Sequence, residues 1–209
     1  MSLYQRVLGM PFVYNHIRPL VVGGVDLSPS FSNLEVQPDD VVVDIGCGPG
    51  VALNYLRQFR ALHGFDTDPV AIAFARKVAA GRNDVTFEAR AVTETDLQSL
   101  APTRVMMSGL LHHLGDAEAV ELLSMCRRIP SVRCIGTQDP VILPGKYLNN
   151  FYAKLDRGKH VRDEEGYRAL VSKAGLAVAR GRIVRSHPTN GRAYYFIAAL
   201  ERPPAPASS

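Results

Sequence analysis

Hydrophobic positions settle into a regular order after residue 40. Val41 to Ile45 (VVVDI) is a short, valine-rich apolar run, as a strand covered on both faces should be. Val51 to Phe59 reads as a helix. LHGF (62–65) predicts a second strand. Pro69 to Ala80 predicts a second helix, with Pro69 near its start, where a missing N–H leaves no bond unmade. VTFEA (85–89), RVMMSG (104–109) and VRCIGT (132–137) predict three more strands. Helices are expected from about Ala117 to Arg128 and from Asp163 to Ala174. LAVARGRIV (176–184) and RAYYFIAAL (192–200) flank SHPTNG, whose Asn190-Gly191 is a hairpin signal. Strands alternating with helices imply an α/β fold: a doubly wound, mostly parallel sheet with helices on both faces and an antiparallel hairpin at its C-terminal end.

The flanks differ from this core. Leu3 to Leu8, followed by Pro11, and Tyr14 to Val22, stopped by Gly23-Gly24, predict short helices. Residues 1–39 read as a helical lid or cap, within a single domain over 1–202. Residues 203–209 (PPAPASS) read as a disordered tail.

Composition narrows the class. The 209 residues are 46% hydrophobic and 21% charged, a globular balance in one domain of ordinary size. No apolar run is long enough to span a membrane, and the N-terminus lacks the apolar core of a signal peptide. Three scattered cysteines, Cys47, Cys126 and Cys134, fit a reducing cytoplasm and form no zinc-binding pattern. The net charge of +4 is too small to argue for nucleic acid. Arg180, Arg182, Arg185 and Arg192 are a basic cluster, read either as a solvated hairpin face or as a surface for an anion.

The chemistry concentrates at Asp44-Ile-Gly46-Cys47-Gly48-Pro-Gly50, between the first strand and the following helix. Glycine lets backbone approach a ligand closely, and a doubly wound sheet binds ligands at its carboxyl strand ends. A dinucleotide fingerprint wants glycines at 46, 48 and 51, and residue 51 is valine, which disfavours a nicotinamide or flavin cofactor. Asp66 ends the second strand, placed to accept from the two hydroxyls of a ribose. Asp68, directly before Pro69, fits a helix cap better.

VVVDIGCGPG followed by GFDTDP resembles the first two motifs of the class I S-adenosylmethionine-dependent methyltransferases, and the likeness runs from about residue 35 to 200. The resemblance implies a seven-stranded sheet with its last strand inserted antiparallel and S-adenosylmethionine lying across the strand tips. It assigns Asp44, Gly46, Cys47, Gly48 and Gly50 to the methionine part of the cofactor, Asp66 to the ribose and Thr67 to the adenosine. Ala91 and Val92 are expected at the adenine, and Ser108 beside the cofactor. Arg90 stands where the family often has an acid.

Methyl transfer needs alignment, water exclusion and, for some acceptors, a base. His112 and His113 follow the fourth strand. At most one of the two neighbours reaches an acceptor, the alternative being a packed histidine. Tyr14 and His16, and Tyr147, Asn150 and Arg157, are candidates for the acceptor. Arg157 and Arg162 suit a carboxylate, or else ion pairs with Asp156, Asp163 or Glu164. No metal site is expected. The motifs for base methylation of nucleic acids are missing: Ser108-Gly-Leu-Leu-His112 replaces the usual Asn/Asp-Pro-Pro-aromatic, and neither Cys126 nor Cys134 follows a proline. The expected activity is methyl transfer to a small molecule. Rival readings are a cyclase or lyase using the same cofactor, or a cofactor-binding module without activity.

Overall fold

The computed structural model describes residues 25–155 and 159–203. The helices expected at 3–8 and 14–22, Tyr14, His16, Arg157 and residues 204–209 of the expected tail lie outside them.

The strands are β1 (Val41–Ile45), β2 (Ala61–Phe65), β3 (Val85–Glu88), β4 (Arg104–Ser108), β5 (Cys134–Pro140), β6 (Ala177–Arg185) and β7 (Tyr194–Glu201). They form one seven-stranded sheet in the order β3-β2-β1-β4-β5-β7-β6. The first five strands pair in parallel, and β7 is inserted antiparallel between β5 and β6. From β1 the chain winds outward to β2 and β3, then returns to place β4 on the other side of β1. The carboxyl ends of β1 and β4 therefore flank the switch point of the sheet, where the following loops diverge and leave a crevice.

The helices are α1 (Ser28–Leu34), α2 (Pro69–Val78), α3 (Glu94–Leu100), α4 (Asp116–Arg128), α5 (Tyr147–Leu155) and α6 (Glu164–Lys173). Alternation along the strands sorts the core into two layers. Val42, Met106, Cys134 and Ala199 pack with Leu34 of α1 and Ile72 of α2. Val43, Val105, Ile135 and Leu200 pack on the opposite face with Leu97, Leu123 and Leu170 of α3, α4 and α6. Every residue of β1 is buried, Asp44 included, and this two-sided burial accounts for the apolar character of its other four positions. Cys47, Cys126 and Cys134 are free and buried. No helix among the described residues is long and apolar enough to cross a membrane.

Several local expectations are corrected. The helix over 51–59 is only a 3-10 turn, Val51–Asn54, followed by irregular chain. Ten residues, 51–60, must run back along strands that are each about 17 Å long. An α-helix of that length rises only about 15 Å, with nothing left for the turn into β2, so the chain stretches. β5 begins later than predicted and continues through Gln138 and Asp139, polar residues that are nonetheless buried. α3 was absent from the predicted elements despite a sequence signature: Thr93 and Asp96 form a capping box, with Thr93 Oγ1 accepting from the Asp96 N–H. α5 occupies a stretch in which no element was expected. Asp68 caps α2 as expected, its carboxylate accepting from the N–H groups of Val70 and Ala71.

Candidate active site

The glycine loop leaves β1 with Gly46, Gly48 and Gly50 all in the left-handed region, at φ 74°, 51° and 81°. Its amides face inward. The N–H groups of Gly46 and Cys47 both donate to the Phe65 carbonyl at the end of β2, and that of Gly50 donates to the Cys47 carbonyl. The Gly48 N–H donates to Asp66 Oδ2 at 2.8 Å. Residue 49 is proline and has no N–H. A phosphate cradle works by presenting unpaired N–H groups, and these four are already used. The charges here are instead the carboxylates of Asp44 and Asp66.

Asp44 is 3% exposed, and among the described residues no donor pairs with it. Burial first, and the Asp66 charge second, push its carboxyl up to about 7. Asp66 is half-buried, its other oxygen accepting from the Asp68 N–H at 2.9 Å. A buried carboxyl with a neighbouring carboxylate and no cation is matched by a cationic ligand. Space exists for one, because a Cβ added at Gly48 would meet nothing within 4 Å. Cys47 is packed against the β2 backbone, and burial raises its thiol far above the ordinary range. Thr67 is exposed beside Asp66, and Ser108 is half-buried at the end of β4.

Past β3, Ala91 is exposed and Val92 half-buried. Arg90, in place of an acid, is held by Glu88 at 2.8 Å and by Asp96 at 2.6 Å, with its guanidinium 5.1 Å from the Phe65 ring centre.

A second group of polar residues stands at the ends of β4 and β5. The turn Leu111–His113 follows β4 and separates the two histidines. His112 is buried and His113 exposed, their rings 4.1 Å apart. The His112 ring Nδ1 lies 2.8 Å from Asp139 Oδ1, and the His112 backbone N–H donates to the same oxygen at 3.1 Å. Asp139 is 2% exposed and its Oδ2 is buried without a hydrogen-bond partner. Burial raises its carboxyl above the ordinary range, while the bond to His112 pulls the other way. With Asp139 ionised, Nδ1 carries the proton and Nε2 holds the basic lone pair.

Arg162 supports this turn. Its guanidinium donates to the carbonyls of Leu111, Leu114 and His160 and pairs with Asp116 at 2.6 Å. Arg162 thus pairs with Asp116 and with neither Asp163 nor Glu164, while Asp156 lies outside the described residues. Asp163 instead caps α6, and Asp116 is the first residue of α4, directly after Gly115. Asn150, expected at the acceptor, is turned inward onto both backbone groups of Leu143. Tyr147 is 86% exposed. No group of three potential metal ligands occurs among the described residues.

Asp139 was missed as a site residue because it sits in a stretch that reads as the end of a strand. Its contact with His112 joins positions 27 residues apart. Only the parallel pairing of β4 with β5 brings them together.

Residues 42–130 match the family described as a methyltransferase domain. The stretch is similar to a methyltransferase domain and makes up less than half of the chain. The cofactor of such domains is S-adenosylmethionine, whose positive charge suits the buried, unpaired Asp44 carboxyl and whose ribose hydroxyls suit Asp66 as an acceptor. The chain is 26% identical over 178 residues to a phosphoethanolamine N-methyltransferase of Triticum aestivum, covering 83% of this chain and 34% of the relative. It thus spans about a third of the length of that curated relative. Among solved structures, a cyclopropane synthase of Mycobacterium tuberculosis superposes with a TM-score of 0.66 at 12% identity, over 84% of this chain and 82% of that one. The magnesium protoporphyrin IX methyltransferase of Synechocystis PCC 6803, solved with bound S-adenosylhomocysteine, gives 0.58 at 19% identity, over 90% and 83%. These likenesses describe a shared fold.

Proposed function

We propose that this protein transfers the methyl group of S-adenosylmethionine to a small molecule whose accepting oxygen or nitrogen carries a proton, with His112 as the base that removes it. The observation that carries this reading is the buried His112–Asp139 pair at the carboxyl ends of β4 and β5, beside the switch point. The bound cofactor supplies an electrophilic methyl group and a neutral leaving group. Asp44 lies opposite its ammonium, Asp66 accepts from the ribose hydroxyls, and Thr67, Ala91, Val92 and Ser108 line the nucleoside. Asp139 holds the imidazole in the tautomer with Nε2 basic and stabilises the charge that develops when the proton is taken. Arg162 keeps the turn in place, so that His112 keeps its aim. The wheat relative is named for phosphoethanolamine, and a small polar acceptor is the class we carry over, with Tyr147, Tyr14, His16 and Arg157 as the residues to test.

The experiment is a mass-spectrometric acceptor screen, followed by kinetics of His112→Gln and Asp139→Asn on the acceptor found. His112→Gln should lower kcat about 100- to 10,000-fold and remove the acidic limb of the pH profile. Asp139→Asn should lower kcat less, with cofactor affinity retained. Unchanged kcat in a folded His112→Gln protein would reduce the pair to packing. Consumption of the cofactor without any acceptor would favour cyclisation or elimination.

A further inference from the structure

Helix α5 stands at the edge of the sheet that carries the His112–Asp139 pair. It follows the carboxyl end of β5, and its polar side faces the protein. Asn149, 3% exposed, donates to the Val141 carbonyl at 2.7 Å and accepts from the Tyr194 N–H at 2.8 Å. Asn150 bonds both backbone groups of Leu143. Val141 is two residues beyond Asp139, and beyond the helix the His160 N–H donates to the His112 carbonyl.

The outer side of α5 is apolar. Tyr147, Leu148 and Phe151 are 86%, 54% and 56% exposed. Phe151 lies four and three positions after the other two, so all three share one face. Exposed apolar side chains clustered in this way mark a surface that something covers. Lysines border the face: Lys146, Lys154 and Lys159 are all exposed, with Lys146 Nζ held 5.6 Å from the Tyr194 ring centre. Residues 141–162 contain five Lys and Arg against one acid, Asp156, a local excess equal to the net charge of the whole chain.

A protein or an anionic lipid surface could cover such a face, and the two make different demands. Protein interfaces bury about 800 Å² on each partner and are depleted in lysine, which a protruding nine-residue helix bordered by lysines does not match. A bilayer asks for less. A few apolar side chains enter the headgroup region while lysines stay at the phosphates, and each lysine near an anionic surface strengthens binding about fivefold.

We propose that α5 docks the protein on an anionic lipid surface, with Tyr147, Leu148 and Phe151 among the headgroups and Lys146, Lys154 and Lys159 at the lipid phosphates. Docking in this way puts the ends of β4 and β5, with His112 and Asp139, on the membrane side. The inference does not depend on which acceptor is methylated.

The test is co-sedimentation of the full chain with vesicles of phosphatidylcholine, alone or with about 30% phosphatidylserine. Wild type should bind the anionic vesicles at least about tenfold more tightly than the neutral ones, and salt should weaken that binding. Leu148→Ser with Phe151→Ser, and separately Lys154→Glu with Lys159→Glu, should each weaken it at least about tenfold. Both double variants should keep the wild-type circular dichroism and melting temperature, which separates lost docking from lost folding. The chain has no tryptophan, so Phe151→Trp reports insertion directly: its emission should shift to the blue on anionic vesicles. The proposal would be overturned by absent binding in the wild type, by equal binding to neutral and anionic vesicles, by binding untouched in either double variant, or by an unshifted emission. A dimer that the serine variant dissociates would also overturn it, because that assigns the face to a second copy.

Discussion

Asp44 lies one residue before the end of β1, and its carboxyl is raised to about 7, chiefly by burial and further by Asp66. The unfolded chain releases this proton above about pH 4, whereas the folded protein keeps it until about pH 7. Through this group, stability falls as pH rises from about 4 to 7 and is level beyond. Asp44→Asn should therefore melt above wild type at pH 8, with the gap closing towards pH 5; thermal scans at the two pH values check this. A cationic ligand favours the ionised carboxylate. Wild-type affinity for S-adenosylmethionine should weaken below pH 7, whereas the asparagine variant should bind weakly at every pH. Asp66→Ala should cost about 1–3 kcal/mol of cofactor binding, because it also leaves the Gly48 N–H without its acceptor. Calorimetric titration with NADH as control measures it, and undiminished affinity would remove Asp66 from the site. At this scale the sequence was informative where a residue's role depends on near neighbours. The turn of the glycine loop and the Asp68 cap were legible from spacing alone. Asp139 was not, because its partner is on another strand.

At the scale of elements, β2 and the glycine loop depend on Gly64. A Cβ there would lie 2.4 Å from Phe87 and 2.8 Å from Cys47 Sγ, closer than atoms can pack. Gly64→Ala should destabilise the fold by about 1–3 kcal/mol in urea unfolding and loosen the glycine loop through Cys47. Adding Phe87→Leu should recover part of the loss; no recovery would mean that the strain lies elsewhere. Strands buried on both faces were recognisable because burial writes a continuous apolar run. The elements between them were harder to read. The 51–59 segment has helical composition but too few residues to cover its span as an α-helix. α5 has its polar residues inside, so its pattern gives no clue to which side is buried.

Among the described residues, the sheet separates two large cores that share no side chains. Ile72 and Ile129 are both fully buried, one in each layer. Ile72→Val and Ile129→Val should each cost about 0.5–1.5 kcal/mol, and the double variant should equal their sum within about 0.5 kcal/mol. Urea unfolding of the three variants tests this, and a larger deviation would mean that the layers communicate through the sheet. Local order along the chain determined the α/β class, the alternation of strand and helix, the glycine loop after β1 and the cap of α2. These follow from periodicity, from glycine's access to left-handed backbone and from caps, all of which act within a few residues. Tertiary structure alone decided which strands are neighbours, and with that the pairing of His112 with Asp139, the pairing of Arg162 with Asp116 and the outward face of α5. Such contacts join residues tens of positions apart, and they exist only once the sheet has brought its strands into register.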